Sequence, residues 1–443
     1  MSEKNNKPAI NICWLRRDLR LDDNAALYHA LKAKNPVLLI FIFDKNILDQ
    51  LENKVDARVD FIHQQLTKIN DQLVKKNSSL LVKYNTPEKV WQEIIDDFEI
   101  GAVFTNHDYE PYARKRDTQI SELLKSNGIE FHTYKDQVIF EKNEIQKADG
   151  TPYSVFTPYY KQWQQKLNDF YLKSYPVSKY VKNLFQLKAM DFPSLKDLGF
   201  AKSDVKFPSA SFEDKLDGYE KERDFPAKNA TSHIGLHLRF GTVSIRKVVS
   251  EALAQKAHKW VSELAWREFY MMILWHFPHT VNSAFKPAYD QIKWRNNEQE
   301  FELWCKGETG YPLVDAGMRQ LNETGFMHNR VRMVVASFLC KHLLIDWRWG
   351  EAYFAEKLLD YEQASNVGGW QWASGSGNDA APYFRVFNPE LQLKKFDPKM
   401  EYVFKWAPEY KKAIAPIPIV NHEFARKRIL DAYKKALNEK VPK

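Results

Sequence analysis

Between residues 10 and 135, short apolar runs alternate with helical patterns, and this alternation constrains the fold more than any other feature. Ile10–Leu15, Val37–Phe43, Leu80–Tyr84, Ala102–Thr105 and Glu130–Tyr134 read as buried strands. Helical segments separate them, around Asn24–Ala33, Ala57–Lys75, Pro87–Asp97 and Tyr112–Ser126. Thr86-Pro87-Glu88 has the makings of a helix start: a capping hydroxyl, proline in the first position and an acid in the first turn. Strand and helix in strict turn predict a parallel, Rossmann-like α/β domain over residues 1–135. No GxGxxG and no GxxxxGK[ST] occurs in it, so the nucleotide-binding shape comes without either phosphate-binding motif.

The remainder reads differently. Residues 136–210 contain Pro152, Pro158, Pro176 and Pro193 and read as an irregular connector. Within it, Val155-Phe156-Thr157-Pro158-Tyr159-Tyr160 suits aromatic packing as well as binding. Over 211–443 strand patterns vanish and helical periodicity takes over, ending in a helix-like stretch at Arg426–Lys440. The net charge of +8 permits a polyanionic partner. Residues 1–205 hold 30 Lys+Arg against 28 Asp+Glu, so most of the excess lies in the later part, with ten of the 13 tryptophans. Basic charge beside stacking surface suits a nucleic-acid or flavin site. Cys13, Cys305 and Cys340 are odd in number and far apart, with no metal-ligand spacing, which points to a reducing compartment. With no signal peptide or membrane span visible, a cytoplasmic monomer is expected.

Four segments carry candidate chemistry. Asn366-Val367-Gly368-Gly369-Trp370-Gln371-Trp372 combines a glycine pair, which lets the backbone come close to something flat or bulky, with two indoles. Trp260, Glu263, Trp266, Arg267 and Tyr270 share one helix face, where a carboxylate between indoles needs Arg267, a ligand or solvent. Asn329, Arg332 and Met333 share another face after Met327-His328, an adaptable pocket wall. Thr231-Ser232-His233-Ile234-Gly235 places hydroxyls where a helix should begin, as an N-cap or an anion site. Trp14–Asn24, after the first strand, is charged and stands where open α/β sheets bind ligands.

Taken together, these segments resemble the cryptochrome/photolyase family from end to end, most specifically over Trp266–Tyr270, Gly310–Arg332 and Gly368–Pro389. The resemblance implies an α/β antenna domain (1–135), a connector (136–210) and an all-helical domain (211–443) that holds FAD. It implies that Tyr219 and Thr231, Ser232, His233, Ile234 and Gly235 serve the flavin phosphates, although His233 and Gly235 stand where Arg and Ser are common. Trp260, Arg267 and Glu362 would also hold the cofactor. Arg332 and Asp360 would form the ion pair beside the isoalloxazine, and Asn366 would face its N5. The family's Asp-Gly-Asp is Asp360-Tyr361-Glu362 here. Trp370, Trp347 and Trp294 would pass an electron from the surface to excited flavin. No metal is implied.

Within the family, Glu263, Trp266, Asn329, Met333 and Trp372 match the lesion pocket of enzymes that split cyclobutane pyrimidine dimers in DNA. Asn329 stands where enzymes for the (6-4) lesion have a second His. The expected mechanism is blue-light electron transfer from reduced FAD to a flipped-out dimer. Glu263, buried between indoles and protonated, would hydrogen-bond the lesion. Glu110, after Asn106-His107-Asp108-Tyr109, resembles the acidic ligand of a methenyltetrahydrofolate antenna. The alternative implied is a blue-light photoreceptor without repair activity.

Overall fold

The computed structural model describes residues 8–380, 382–412 and 416–438. The chain forms two compact units, which cut across the domain limits expected above. One comprises residues 8–141, 167–210 and 234–254; the other comprises 142–166, 211–233 and everything described from 255 onward.

The first unit is built on five parallel strands, β1 (Ile10–Leu15), β2 (Val37–Asp44), β3 (Leu80–Asn85), β4 (Ile100–Asn106) and β5 (Glu130–Tyr134), in the order β3-β2-β1-β4-β5. The central strands are continuous apolar runs because helices cover both faces of a parallel sheet. The covering helices are α1 (Ala25–Lys32), α2 (Ala57–Val74), α3 (Pro87–Asp97) and α4 (Pro111–Ser126). Asn24 and Asp56 cap α1 and α2 with their side chains. Thr86 occupies the N-cap position of α3, yet its hydroxyl makes no capping bond, so proline at the first position marks this start without it.

The second unit is helical. Its first helix, α5 (Phe156–Lys166), corrects the reading of that segment as irregular connector. The elements that build the site are α6 (His258–His276), α7 (Glu298–Lys306), α8 (Pro312–Thr324), α9 (Asn329–Ser337), α10 (Trp347–Lys357) and α11 (Gln363–Ser374). They are followed by α12 (Glu401–Trp406) and α13 (His422–Asn438). The main core of this unit lies among α7 to α12, with Trp304, Trp347 and Trp370 buried in it. No helix among the described residues is long and apolar enough to cross a membrane.

Candidate functional site

The helical period turns Glu263, Trp266, Arg267 and Tyr270 to one side of α6. Opposite them stand Asn329, Arg332 and Met333 of α9. Asp360 and Glu362 precede α11, which adds Asn366, Gly369, Trp370 and Trp372. All of these line one cavity of about 450 Å³, the size of a small-molecule site. A Cβ at Gly368 would stand 2.2 Å from the Tyr270 ring, so glycine is what lets α11 approach α6 this closely. A Cβ at Gly369 would meet nothing within 4 Å, so this glycine leaves open space beside Trp370 on the cavity wall.

The wall is strongly charged and mostly paired. Arg223, Lys259, Arg267, Arg330 and Arg332 line it, against the carboxylates Glu263, Asp360 and Glu362, an excess that favours an anionic ligand. Arg332 Nη2 donates to both Asp360 oxygens at 3.0 and 3.1 Å, and Arg267 Nη2 donates to Glu362 at 3.0 Å. Asn366 Nδ2 donates to Glu351, to its carbonyl at 3.1 Å and its carboxyl at 2.9 Å. Burial raises the Glu351 carboxyl above the usual range, against the lowering effect of bonds from Asn366 and Tyr361.

Glu263 departs from expectation. It is not enclosed by indoles: its side chain is 29% exposed and ion-paired with Arg223, with Lys259 3.5 Å away. Arg223 lies forty positions earlier, outside any local pattern. Trp266 stacks face to face on Phe156, with centroids 3.7 Å apart, and Tyr160 stacks in turn on Phe156. The aromatic strip of the supposed connector therefore backs the α6 indole. Trp266 and Trp372 are both half-buried on the cavity wall.

Other residues lie elsewhere. Trp260 is 4% exposed and stacks on Phe212 at 5.2 Å, in the core rather than on the cavity wall. Tyr219 begins a short helix under the Arg223 guanidinium, 5.2 Å from its ring, and burial pushes its phenol up to about 12. Thr231 and His233 line a separate cavity of about 210 Å³; Ser232 lines neither. The helix after them, Gly235–Arg239, has Ile234 at its N-cap and no side-chain cap, so the hydroxyls of Thr231 and Ser232 do not serve as one. Trp370 and Trp347 share the main core, 2% and 1% exposed, and half-buried Trp294 packs against it. In the first unit, Glu110 accepts from Arg17 at 3.0 Å and Arg239 at 2.6 Å.

The residues suit the flavin ring system: a flat wall beside Gly369 and Trp370, with a guanidinium, a carboxylate and an amide at its edge. Residues 11–179 match the family model for DNA photolyase, and residues 260–417 match that for the FAD binding domain of DNA photolyase. A deoxyribodipyrimidine photo-lyase of Synechococcus sp. is 36% identical over 95% of each chain. The chain belongs to the photolyase/cryptochrome family. Among solved members, an archaeal photolyase from Sulfolobus tokodaii with two FAD molecules is 34% identical, with a TM-score of 0.80 over 96% of this chain and 99% of that one. A Synechocystis cryptochrome is 25% identical, with a TM-score of 0.84 over 97% of this chain and 100% of its own. The main cavity lies wholly within the residues of the second unit, and most of its wall falls inside the segment matched by the family's FAD-binding model.

Proposed function

We propose that the protein is a deoxyribodipyrimidine photo-lyase that repairs cyclobutane pyrimidine dimers in DNA, using FAD and blue light. One observation carries the reading. A single cavity joins the Arg332–Asp360 pair and Asn366, suited to a flavin, with Trp266, Trp372 and Glu263, suited to a flipped-out lesion. The names of its relatives point the same way.

A dimer inside the duplex is out of reach, so it must leave the stack, at a cost of a few kcal/mol that is least for a badly stacked lesion. Trp266, braced from behind by Phe156, and Trp372 receive the bases, each stack contributing about 1–3 kcal/mol. Arg223, Lys259 and Arg330 hold phosphate near the cavity and make binding salt-sensitive. Glu263 and Asn329 hydrogen-bond the edge of the lesion; Met333 packs against it. Arg332, Asp360, Arg267, Glu362 and Asn366 hold the cofactor, with Glu351 fixing the Asn366 amide. When bound and reduced, the flavin supplies under blue light the electron that opens the cyclobutane ring. Tyr219 and the segment Thr231, Ser232, His233, Ile234 and Gly235 are assigned to its phosphates. Trp370, Trp347 and Trp294 serve its photoreduction. A methenyltetrahydrofolate antenna at Glu110 would have to displace Arg17 and Arg239 or share that carboxylate with them.

The Synechocystis cryptochrome, with the same fold, favours a photoreceptor as the second reading. The deciding experiment is cleavage of a thymine dimer in a short oligonucleotide by chemically reduced protein. Intact thymines restored only under blue light are the expected result. Flavin-loaded protein that restores none would leave the photoreceptor.

A further inference from the structure

The two indoles on the main cavity wall are supported differently. Trp266 stacks on Phe156 and, through it, on Tyr160. Trp372 meets one ring among the described residues, that of Phe387, tilted by 47° with centroids 6.3 Å apart. Phe387 belongs to no helix or strand. It ends an irregular stretch, 382–387, that is exposed at Pro382, Phe384 and Arg385 and lays the Arg385 guanidinium over the Phe387 ring at 5.7 Å. Inward, Tyr383 stacks on Tyr433 of α13, centroids 5.8 Å apart, and Val386 packs against the same small core. Within the stretch, the Arg385 N–H donates to Pro382 and the Val386 N–H to Phe384. Among the described residues a single hydrogen bond ties it to the rest of the chain: Lys341 Nζ donates to the Arg385 carbonyl at 2.8 Å.

Lys341 is an unusual anchor. It lies in a single π-helical turn, Phe338–His342, is 1% exposed and forms no ion pair among the described residues. A buried ammonium without a carboxylate is costly, and packing alone would be served by an apolar side chain of similar volume. What the ammonium adds is a charge-assisted bond, about twice as strong as a neutral one, to a carbonyl that nothing else holds. A π turn is a common device for such a placement at a functional site.

We propose that Lys341 is a positioning residue for Trp372: it pins the Arg385 carbonyl, and the pinned stretch keeps Phe387 against that indole, so that a flipped-out lesion meets a fixed surface. The role rests on the reading of Trp372 as part of the lesion pocket. Without the bond the stretch keeps its apolar contacts with α13 but turns about Arg385, and the lesion must then immobilise Trp372 itself, which weakens binding. The anchor is titratable. Burial first, and Arg385 after it, push the ammonium down to about 8, against the opposing influence of Cys340. The other titratable groups around this turn are His342 beside it, His422, Arg428 and Tyr433 of α13, and Asp346 before α10. The folded value lies below the ordinary 10.5 of lysine, so on its account the stability of the whole fold rises, not falls, as pH passes 8. What is lost there is the charge that holds the carbonyl.

The test is binding of a fluorescent dimer-containing oligonucleotide, and of its undamaged twin, by flavin-loaded protein in the dark from pH 7 to pH 9. At pH 7 the ratio of the two affinities should fall about tenfold in Lys341→Met. In the wild type the ratio should decline toward the variant's value as pH rises, with its midpoint near 8, while the variant's profile stays flat. Trypsin should cut after the exposed Arg385 faster in the variant than in the wild type at pH 7, which reads the freed stretch directly. The wild-type profile needs no substitution, so it decides even where the variant fails to fold. A flat wild-type profile, or a variant with a freed stretch and an unchanged ratio, would overturn the proposal. A wild type without preference for the dimer at any pH would overturn the lesion reading and this role with it, whatever trypsin showed of the anchor.

Discussion

Charged side chains meet opposite fates in the two units. At the strand ends of the first, Asp136 is 1% exposed between Arg20 at 2.7 Å and Arg246 at 2.8 Å. Arg17 bridges Asp108 and Glu110, Arg16 pairs with Asp117, and the guanidiniums of Arg16 and Arg116 lie 4.9 and 5.1 Å from the Trp14 ring. Burial alone would raise the Asp108 carboxyl, but the arginines around it hold it far below the usual range. This is the crevice where open α/β sheets take ligands, and here much of it is occupied by the unit's own ions. In the second unit the ions also pair, but on the wall of a cavity with room for a guest, Arg267–Glu362 nearly buried and Arg332–Asp360 and Arg223–Glu263 partly exposed. Closure makes the first network structural; the cavity beside the second makes it a candidate site.

The largest effect should come from breaking the closed network. Asp136→Asn takes from buried Arg20 its carboxylate and leaves Arg246 with Asp23 alone, at 2.9 Å, a loss toward the lower end of about 3–5 kcal/mol in unfolding free energy. Urea denaturation should show it, while flavin content and lesion affinity under native conditions stay as they were. A tenfold fall in lesion affinity would mean that the strand-end network is part of the site after all. In the open region the balance reverses. Trp266→Ala should weaken binding of a dimer-containing oligonucleotide by about 1–3 kcal/mol, roughly five- to 150-fold. Undamaged DNA should bind nearly as before. Equal losses on both DNAs would remove Trp266 from the lesion pocket.

A third prediction concerns a buried group that has neither a counter-ion nor a cavity. His342 is fully enclosed, 2.8 Å from the His422 ring nitrogen, with Arg428 bonded to its carbonyl and Lys341 next in sequence. Burial, then the neighbouring cations, push its imidazole down to about 3. A depressed value means stability is fully present above the unfolded value near 6.5 and is lost as pH falls toward 3. The unfolded chain takes up a proton that the folded chain refuses, at about 1.4 kcal/mol per pH unit. His342→Gln should be less stable at pH 7, and its deficit should shrink on acidification to pH 5. A deficit constant with pH would exclude His342 as the titrating group.

Sequence pattern revealed what is local. The five strands lie within two residues of their predicted bounds, the inner ones because a strand buried on both faces leaves an apolar run; the edge strand β5, read as buried, has no buried residue. The faces of α6 and α9 followed from helical period, except that Trp260 turns into the core. Three features escaped for physical reasons. Pro158 suggested irregular chain, yet it is the third residue of α5, where its missing N–H has no intrahelical partner to lose. Arg223 reaches Glu263 from a separate short segment, so the carboxylate that seemed to need burial has a cation instead. Glu351 holds Asn366 from the neighbouring helix α10, a pairing that no spacing within α11 could announce.

The smallest effect on repair, none, is expected where the effect on photoreduction is greatest. Trp370 and Trp347 are buried in one core, whereas Trp294 is half-buried and meets Tyr433 edge-on, with centroids 6.2 Å apart. Trp294→Phe keeps an aromatic ring in that contact, so the packing of α13 should survive. What it removes is an indole that can be oxidised near solvent. Protein reduced chemically beforehand should therefore repair dimers at the wild-type rate, since repair needs an electron from the cofactor and not one for it. Protein with oxidised flavin should lose most of its light-driven reduction, followed by flavin absorbance in the presence of a thiol. Lost repair in the pre-reduced variant would place Trp294 in the lesion chemistry. Unimpaired photoreduction would instead send the electron by another route, and the T-shaped contact of Trp370 with Trp304, at 6.1 Å, is where that route would begin.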